Sequence, residues 1–115
     1  MHEMAIVNNL LNECEKIRIK NNANKITKVI ISIGRLSGVE AHYVNEAFIA
    51  FTSDKNSSYY NCKLEIIHQD LVLHCRDCSN DFKQENNEFK CKFCNSLKLD
   101  IVSGEELILE RVELM

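Results

Sequence analysis

The chain has 115 residues, 45% of them hydrophobic, with six cysteines and a formal net charge of −3. That length suits one compact domain or one domain with a small satellite, and the mildly acidic balance excludes a broad electrostatic bid for nucleic acid or anionic membrane. No stretch reaches about 18 uninterrupted apolar residues, so no membrane-spanning helix is expected. An acid at position three, with no basic run followed by a long apolar one, argues against a secretion signal. The thiols are therefore expected in a reducing cytosol, where close cysteine pairs mean metal more often than disulfide.

From Glu3 to about Lys20 the residues Met4, Val7, Leu10, Leu11, Cys14 and Ile17 fall three or four apart among Asn, Glu, Lys and Arg, which predicts an amphipathic helix. "NNAN" breaks that pattern, because Asn suits turns and left-handed positions. "KITKVIISIG" is rich in β-branched residues and predicts a buried strand over about 26–33, ended by Gly34. After the loop "GRLSGVE", Ala41, Val44, Ala47, Phe48 and Phe51 mark a second amphipathic helix that stops near "SDKNSS". "CKLEIIHQDLVLHC" alternates, with Cys62, Leu64, Ile66 and His68 on one face, and reads as one long strand or two strands bent near Gln69-Asp70. "LKLDIVSGEELILERVEL" reads as two strands around a turn at Ser103-Gly104. The sum is an α/β (α+β) core of two helices over a small sheet, with a metal module inserted between about residues 72 and 98.

That module carries Cys75, Cys78, Cys91 and Cys94 as Cys-x2-Cys, twelve residues, Cys-x2-Cys. Two residues between thiols let a tight turn aim both sulfurs at one ion, and the turn's backbone amides can soften their charge. Twelve residues suffice for a short hairpin that returns the second pair. Four thiolates suit tetrahedral Zn²⁺ in a closed structural site, and metal binding would supply much of so small a module's folding energy. Two disulfides, redox thiols or a rubredoxin-like iron site are the alternatives; paired knuckles in a reducing compartment favour zinc. Between Cys75 and Lys98 five basic residues (Arg76, Lys83, Lys90, Lys92, Lys98) face four acids (Asp77, Asp81, Glu85, Glu88), and Phe82, Phe89 and Phe93 read as packing residues around the knuckles. A phosphate-binding surface would cluster positive charge, so the ribbon reads as architectural.

Cys14 and Cys62 read as core thiols, His68 as a partly buried histidine and His42 as solvated. His74 precedes the first knuckle and could hydrogen-bond to a zinc ligand or replace one. No nucleophile-and-base signature and no Gly-rich phosphate loop is present. At the start, "MHE" places an amine, a backbone amide and the His2 imidazole within a few bonds of one another. Such a chelate wraps a metal in a plane, and Ni²⁺ and Cu²⁺ favour tetragonal nitrogen sites of that kind. Glu3 could add a carboxylate oxygen or favour the helix start. A plain terminal side chain is the other reading of His2.

Taken together, "MHE", "IGRLSGVE", the two cysteine pairs and the closing "SGEELILERVEL" resemble, nearly end to end, the hydrogenase maturation nickel chaperones of the HypA family. The resemblance implies two helices on a three-stranded mixed sheet, residues 1–71 and 99–115, with a zinc-ribbon domain at 72–98. It implies Ni²⁺ cargo held by His2, the first backbone nitrogens and Glu3, with Glu40 of "SGVE" at an acidic family position near that site. It implies structural Zn²⁺ on Cys75, Cys78, Cys91 and Cys94. It further implies a non-enzymatic cytoplasmic protein that works with the GTPase HypB, delivers nickel to the hydrogenase large subunit and in some bacteria to urease, allows for a homodimer, and engages neither nucleic acid nor membrane. The second knuckle departs from the family pattern: Cys91-Lys92-Phe93-Cys94-Asn95 lacks the frequent Pro and the flanking His, so a pH-switched zinc site is in doubt. A zinc-ribbon adaptor for nucleic acid or a transcription component is the competing reading.

Overall fold

Helical spacing in the first twenty residues becomes helix α1, Glu3–Lys20, whose buried stripe is Glu3, Val7, Leu10, Leu11 and Cys14. Met4, counted above with the apolar stripe, is 57% exposed. It lies one position off the buried row, which runs through Glu3 instead. The structure, a computed structural model, describes residues 2–115. After α1 a left-handed Asn22 (φ 55°) turns the chain, as Asn tolerates. The strand β1, Ile26–Gly34, follows and is almost wholly buried. Helix α2, Ala41–Thr52, lays Val44, Ala47 and Phe48 on the same core.

Strand β2, Lys63–Gln69, pairs parallel to β1, with Ile31 opposite Ile66 and Ile33 opposite His68. A parallel pair needs a crossover connection, and α2 is that connection. Strands β3 (Val72–Cys75), β4 (Asp81–Lys83), β5 (Leu99–Ser103) and β6 (Leu107–Leu114) complete the chain. β6 returns antiparallel to β1, so the first sheet has the order β2-β1-β6 and is mixed, as expected. Val29, Ile31 and Ile33 meet Val7, Leu11, Cys14 and Phe48 in the main core. Each fully buried side chain of that size contributes roughly 1.5–3 kcal/mol.

The second sheet has the order β4-β3-β5 over a separate, small core of Leu71, Leu73, Cys75, Phe82 and Cys91. Here the strand pairing crosses the expected boundary. Leu99–Ser103, grouped above with the first unit, is antiparallel to β3, with Leu73 opposite Ile101 and Cys75 opposite Leu99. The turn at Ser103-Gly104 thus joins two sheets rather than two strands of one. The molecule is long, 56 × 27 × 17 Å with a radius of gyration of 17.6 Å, against about 13 Å for a compact chain of this length.

Between the sheets the backbone is tightly crossed. Leu36 N–H donates to Gly104 O at 2.8 Å at the junction, while Gly34 N–H to Glu106 O at 2.9 Å prolongs the β1–β6 pairing and Gln84 N–H to Leu71 O at 2.8 Å the β3–β4 pairing up to it. Gly104 is left-handed (φ 101°), and a Cβ there would lie 2.7 Å from Asp70 O. Arg35, just beyond β1, reaches over the second unit and donates to Gln84 O at 2.6 Å, Asn86 O at 2.9 Å and Asn87 Oδ1 at 2.9 Å.

Candidate metal centres

The four ribbon cysteines converge because both knuckles have one local conformation. In the first, Ser79 N–H donates to Cys75 O at 2.8 Å and Cys75 N–H to Asn80 O at 3.0 Å. In the second, Asn95 N–H donates to Cys91 O at 2.8 Å and Cys91 N–H to Ser96 O at 2.8 Å. The residue after each pair, Ser79 and Asn95, is left-handed at φ 62°. Asn95 therefore occupies the position that needs positive φ, and Asn is among the residues that accept it. The two knuckles are tied together by Ser96 Oγ donating to Asp77 Oδ2 at 2.5 Å.

All four sulfurs lie within 4.8 Å of one another, the one such metal-ligand cluster among the described residues. Cys75 Sγ is 3.6 Å from Cys94 Sγ, and Cys78 Sγ is 3.5 Å from Cys91 Sγ. Sulfurs at the zinc–thiolate distance on a tetrahedral ion stand about 3.8 Å apart, close to these two separations, so the donor set suits Zn²⁺. Backbone amides soften the charge as anticipated. Phe93 N–H donates to Cys91 Sγ at 3.3 Å, and the N–H groups of Cys78 and then Asp77 hold the Cys75 thiol well below its usual range. Cys75 and Cys91 are fully buried whereas Cys94 is exposed.

Sequence reasoning missed two supports of this centre: the Asp77 bridge and Asn80, whose Nδ2 is 3.5 Å from Cys78 Sγ. Their signal was the near-repeat "CRDCSN" and "CKFCNS". His74 neither joins nor flanks the sulfurs; its Nδ1 is 2.5 Å from Asp81 Oδ1 across the β3–β4 pair. Of the ribbon aromatics Phe82 packs inside, while Phe89 is 44% and Phe93 59% exposed. Phe93 touches Phe82 edge-on, 6.4 Å between centroids. The twelve-residue return holds one strand, β4, and then a loop in which Gln84 Nε2 donates to Asn86 O, Asn86 Oδ1 and Glu88 O at 2.8–2.9 Å.

At the amino end of the chain, His2 is the N-cap of α1. Its carbonyl accepts Ile6 N–H at 2.9 Å, while its imidazole makes no capping hydrogen bond. The side chain is exposed beside a groove of about 520 Å³ that it shares with Glu3, Met4, Tyr43 and Glu46. Glu3 is only 8% exposed, and its Oε2 accepts Glu40 N–H at 3.4 Å. α2 has no acid in its first turn, so the Glu3 carboxylate faces that positive helix end. The Glu40 side chain is exposed on another surface, a cleft between the two sheets that it shares with Arg35, His42 and His68. The terminal amine expected as a partner of His2 belongs to Met1, outside the described residues.

The remaining cysteines are core residues as expected: Cys14 is fully buried and Cys62 is 7% exposed. Burial, then Cys62, pushes the Cys14 thiol up to about 12, and burial pushes Cys62 up to about 11. His68, read as partly buried, is exposed and lines the cleft between the sheets. His42 is solvated, as expected, with Nε2 3.2 Å from Glu46 Oε1. No helix among the described residues is long and apolar enough to cross a membrane.

Residues 1–114 match the family model described as hydrogenase/urease nickel incorporation, metallochaperone, hypA. The chain is 38% identical over 114 residues to the hydrogenase maturation factor HypA of Aquifex aeolicus, covering 99% of this chain and 97% of that protein. It is 36% identical over 112 residues to that of Campylobacter jejuni, covering 97% of each. The solution structure of the Ni metallochaperone HypA from Helicobacter pylori superposes with a TM-score of 0.73 at 31% identity, over 100% of this chain and 98% of that one. These likenesses give the adaptor reading no support. With its mixed sheet, its two helices and a four-cysteine cluster suited to structural zinc, the chain belongs to the HypA family of nickel metallochaperones for hydrogenase maturation.

Proposed function

We propose that this chain carries Ni²⁺ as cargo at its amino end, with the His2 imidazole and the first backbone nitrogens as ligands, and holds Zn²⁺ on Cys75, Cys78, Cys91 and Cys94. The observation that carries this reading is the contrast between the two sites. The thiolate cluster is closed and half-buried, whereas the His2 imidazole is exposed and uncommitted to capping, beside a groove without a thiol. A metal at the second kind of site can be attacked by a partner's ligands and taken, which delivery requires. Glu3 lies within the same groove and joins the start of α1 to α2, accepting the Glu40 backbone N–H.

On this reading the protein is a non-enzymatic cytoplasmic chaperone. It collects nickel with a HypB-type GTPase and passes it to the hydrogenase large subunit, and the family's link to urease extends the recipients to that enzyme's maturation proteins. The second unit comprises residues 72–103, extending the ribbon by the strand that pairs with β3. The zinc supplies closure of a small core, not chemistry: the residues around it position the sulfurs and donate amides to them.

The test is a Ni²⁺ titration of untagged, zinc-loaded protein beside His2→Ala. One tight equivalent per chain, lost in His2→Ala while zinc is retained, supports the reading. Equal tight binding by both proteins, or by neither, refutes it.

A further inference from the structure

Two cavities of this molecule are each lined by one member of a His–Glu pair on α2. Glu46 lines the groove that holds His2, and His42 lines the cleft of about 680 Å³ between the two sheets. The two side chains are one helical turn apart, at positions i and i+4, which face each other on a helix. His42 Nε2 lies 3.2 Å from Glu46 Oε1. Donors at roughly 2.1 Å from an octahedral ion, in adjacent positions, stand about 3 Å apart. The pair is therefore already spaced for bidentate binding.

Stability gives little reason for the pair. The side chains are 74% and 59% exposed, and exposed ion pairs contribute about 0–1 kcal/mol. Neutral imidazole nitrogen and carboxylate oxygen are both donors to first-row divalent ions, and Ni²⁺ stands near the top of that affinity order. With two protein ligands and water at the remaining positions, the ion would be held weakly and exchange readily.

We propose that His42 and Glu46 form a second, weaker station for Ni²⁺ beside the terminal site, open to both the groove and the cleft. Binding replaces two waters of the hydrated ion by Nε2 and Oε1, with His42 neutral. The proposal rests on nickel being the cargo, not on His2 being its ligand.

The test is titration of untagged, zinc-loaded protein with a Ni²⁺ salt, above the ordinary histidine pKa. The native chain is expected to bind a tight and a weak equivalent. His42→Gln/Glu46→Gln keeps the tight one and weakens the second at least tenfold; His2→Ala does the reverse. In the native protein the weak equivalent, six-coordinate and paramagnetic, broadens the His42 ring signals before those of His68, a readout that needs no variant. A single equivalent in the native chain, a weak equivalent retained by the double variant, or broadening confined to His68 would overturn the proposal. Retention of the tight equivalent by His2→Ala would overturn the terminal reading and leave this one standing.

Discussion

Replacing Gly34 by alanine tests how rigidly the two sheets are joined. The added Cβ would lie 2.3 Å from the carbonyl carbon of Gly104, 2.4 Å from its oxygen and 2.8 Å from Glu105 N, where ordinary contact begins at 3.4 Å. The obstacles are backbone atoms, so no rotamer change relieves them, and residues 104–105 must retreat by about 1 Å (3.4 less 2.3). That retreat pulls on Gly34 N–H to Glu106 O and Leu36 N–H to Gly104 O, 2.9 and 2.8 Å long. Overpacking costs roughly 1–3 kcal/mol and each weakened hydrogen bond up to about 1 kcal/mol, so a loss of about 3 kcal/mol is expected. For a chain of this size that lowers Tm by roughly 12 °C. Gly38→Ala is the control: Gly38 is left-handed at φ 75° but has nothing within 4 Å of its Cβ position, so only the conformational cost of about 1 kcal/mol applies. Thermal melts of the zinc-loaded proteins decide it. Gly34→Ala melting no lower than Gly38→Ala would refute the steric argument.

Zinc removal should unfold the ribbon alone, because two of the five residues in its small core, Cys75 and Cys91, belong to the four-sulfur cluster proposed to hold it. A chelator is then expected to abolish amide protection in β3–β5 while the helical circular dichroism persists; protection that survives without metal would refute this. Arg35→Ala removes three donated hydrogen bonds to residues 84–87, so exchange of the 84–90 amides should quicken about tenfold, with the α1 and α2 amides unchanged. Raising the pH should destabilise the fold through its core thiols. Burial holds the Cys14 proton to about 12 and the Cys62 proton to about 11, against 9.0 for a free thiol. The folded state therefore keeps protons that the unfolded state releases. The stabilisation is complete below about pH 9 and falls as pH rises toward 11 and then 12, by up to tenfold in the folding constant per pH unit for each thiol. Denaturant melts across that range should show a shallower slope for Cys14→Ala than for the native chain.

The limits of α1, the strand β1, the extent of α2 and the four-sulfur cluster were legible in the sequence, because each rests on a local period or on spacing between like residues. What was misread depends on neighbours that no local period reports. Alternation put His68 on the inward face of its strand, but β2 is an edge strand of its sheet and His68 there borders the open cleft between the sheets. "LKLDIVS" alternates as well in one sheet as in the other. Its partner is decided by β3, which has an open edge beside the second knuckle, and by the left-handed Gly104 that turns the chain back only after residue 103. Phe89 and Phe93 read as packing residues around the knuckles; Phe93 does meet Phe82 edge-on, but Phe89 and Phe93 stay exposed while Phe82 alone of the three is buried.

Counting only apolar residues in α1 led from Val7 back to Met4. The buried row itself, Val7, Leu10 or Leu11, Cys14, extrapolates to position 3 with the same spacing of three or four, and position 3 is a glutamate. An acid on a buried helix row is a local rule broken, and such breaks are kept where something compensates. One compensating partner is the start of α2, which has no acid of its own in its first turn and whose Glu40 N–H donates to the Glu3 carboxylate at 3.4 Å. Glu3 thus fixes where α1 begins against α2, and with it where the His2 imidazole is presented. If that is its role, Glu3→Gln keeps the hydrogen-bond acceptor and should leave the His2 nickel affinity within a few fold. Glu3→Ala frees the first turn and should weaken it at least tenfold. Equal loss in both variants would mean instead that the carboxylate's charge acts on the metal directly, as a ligand.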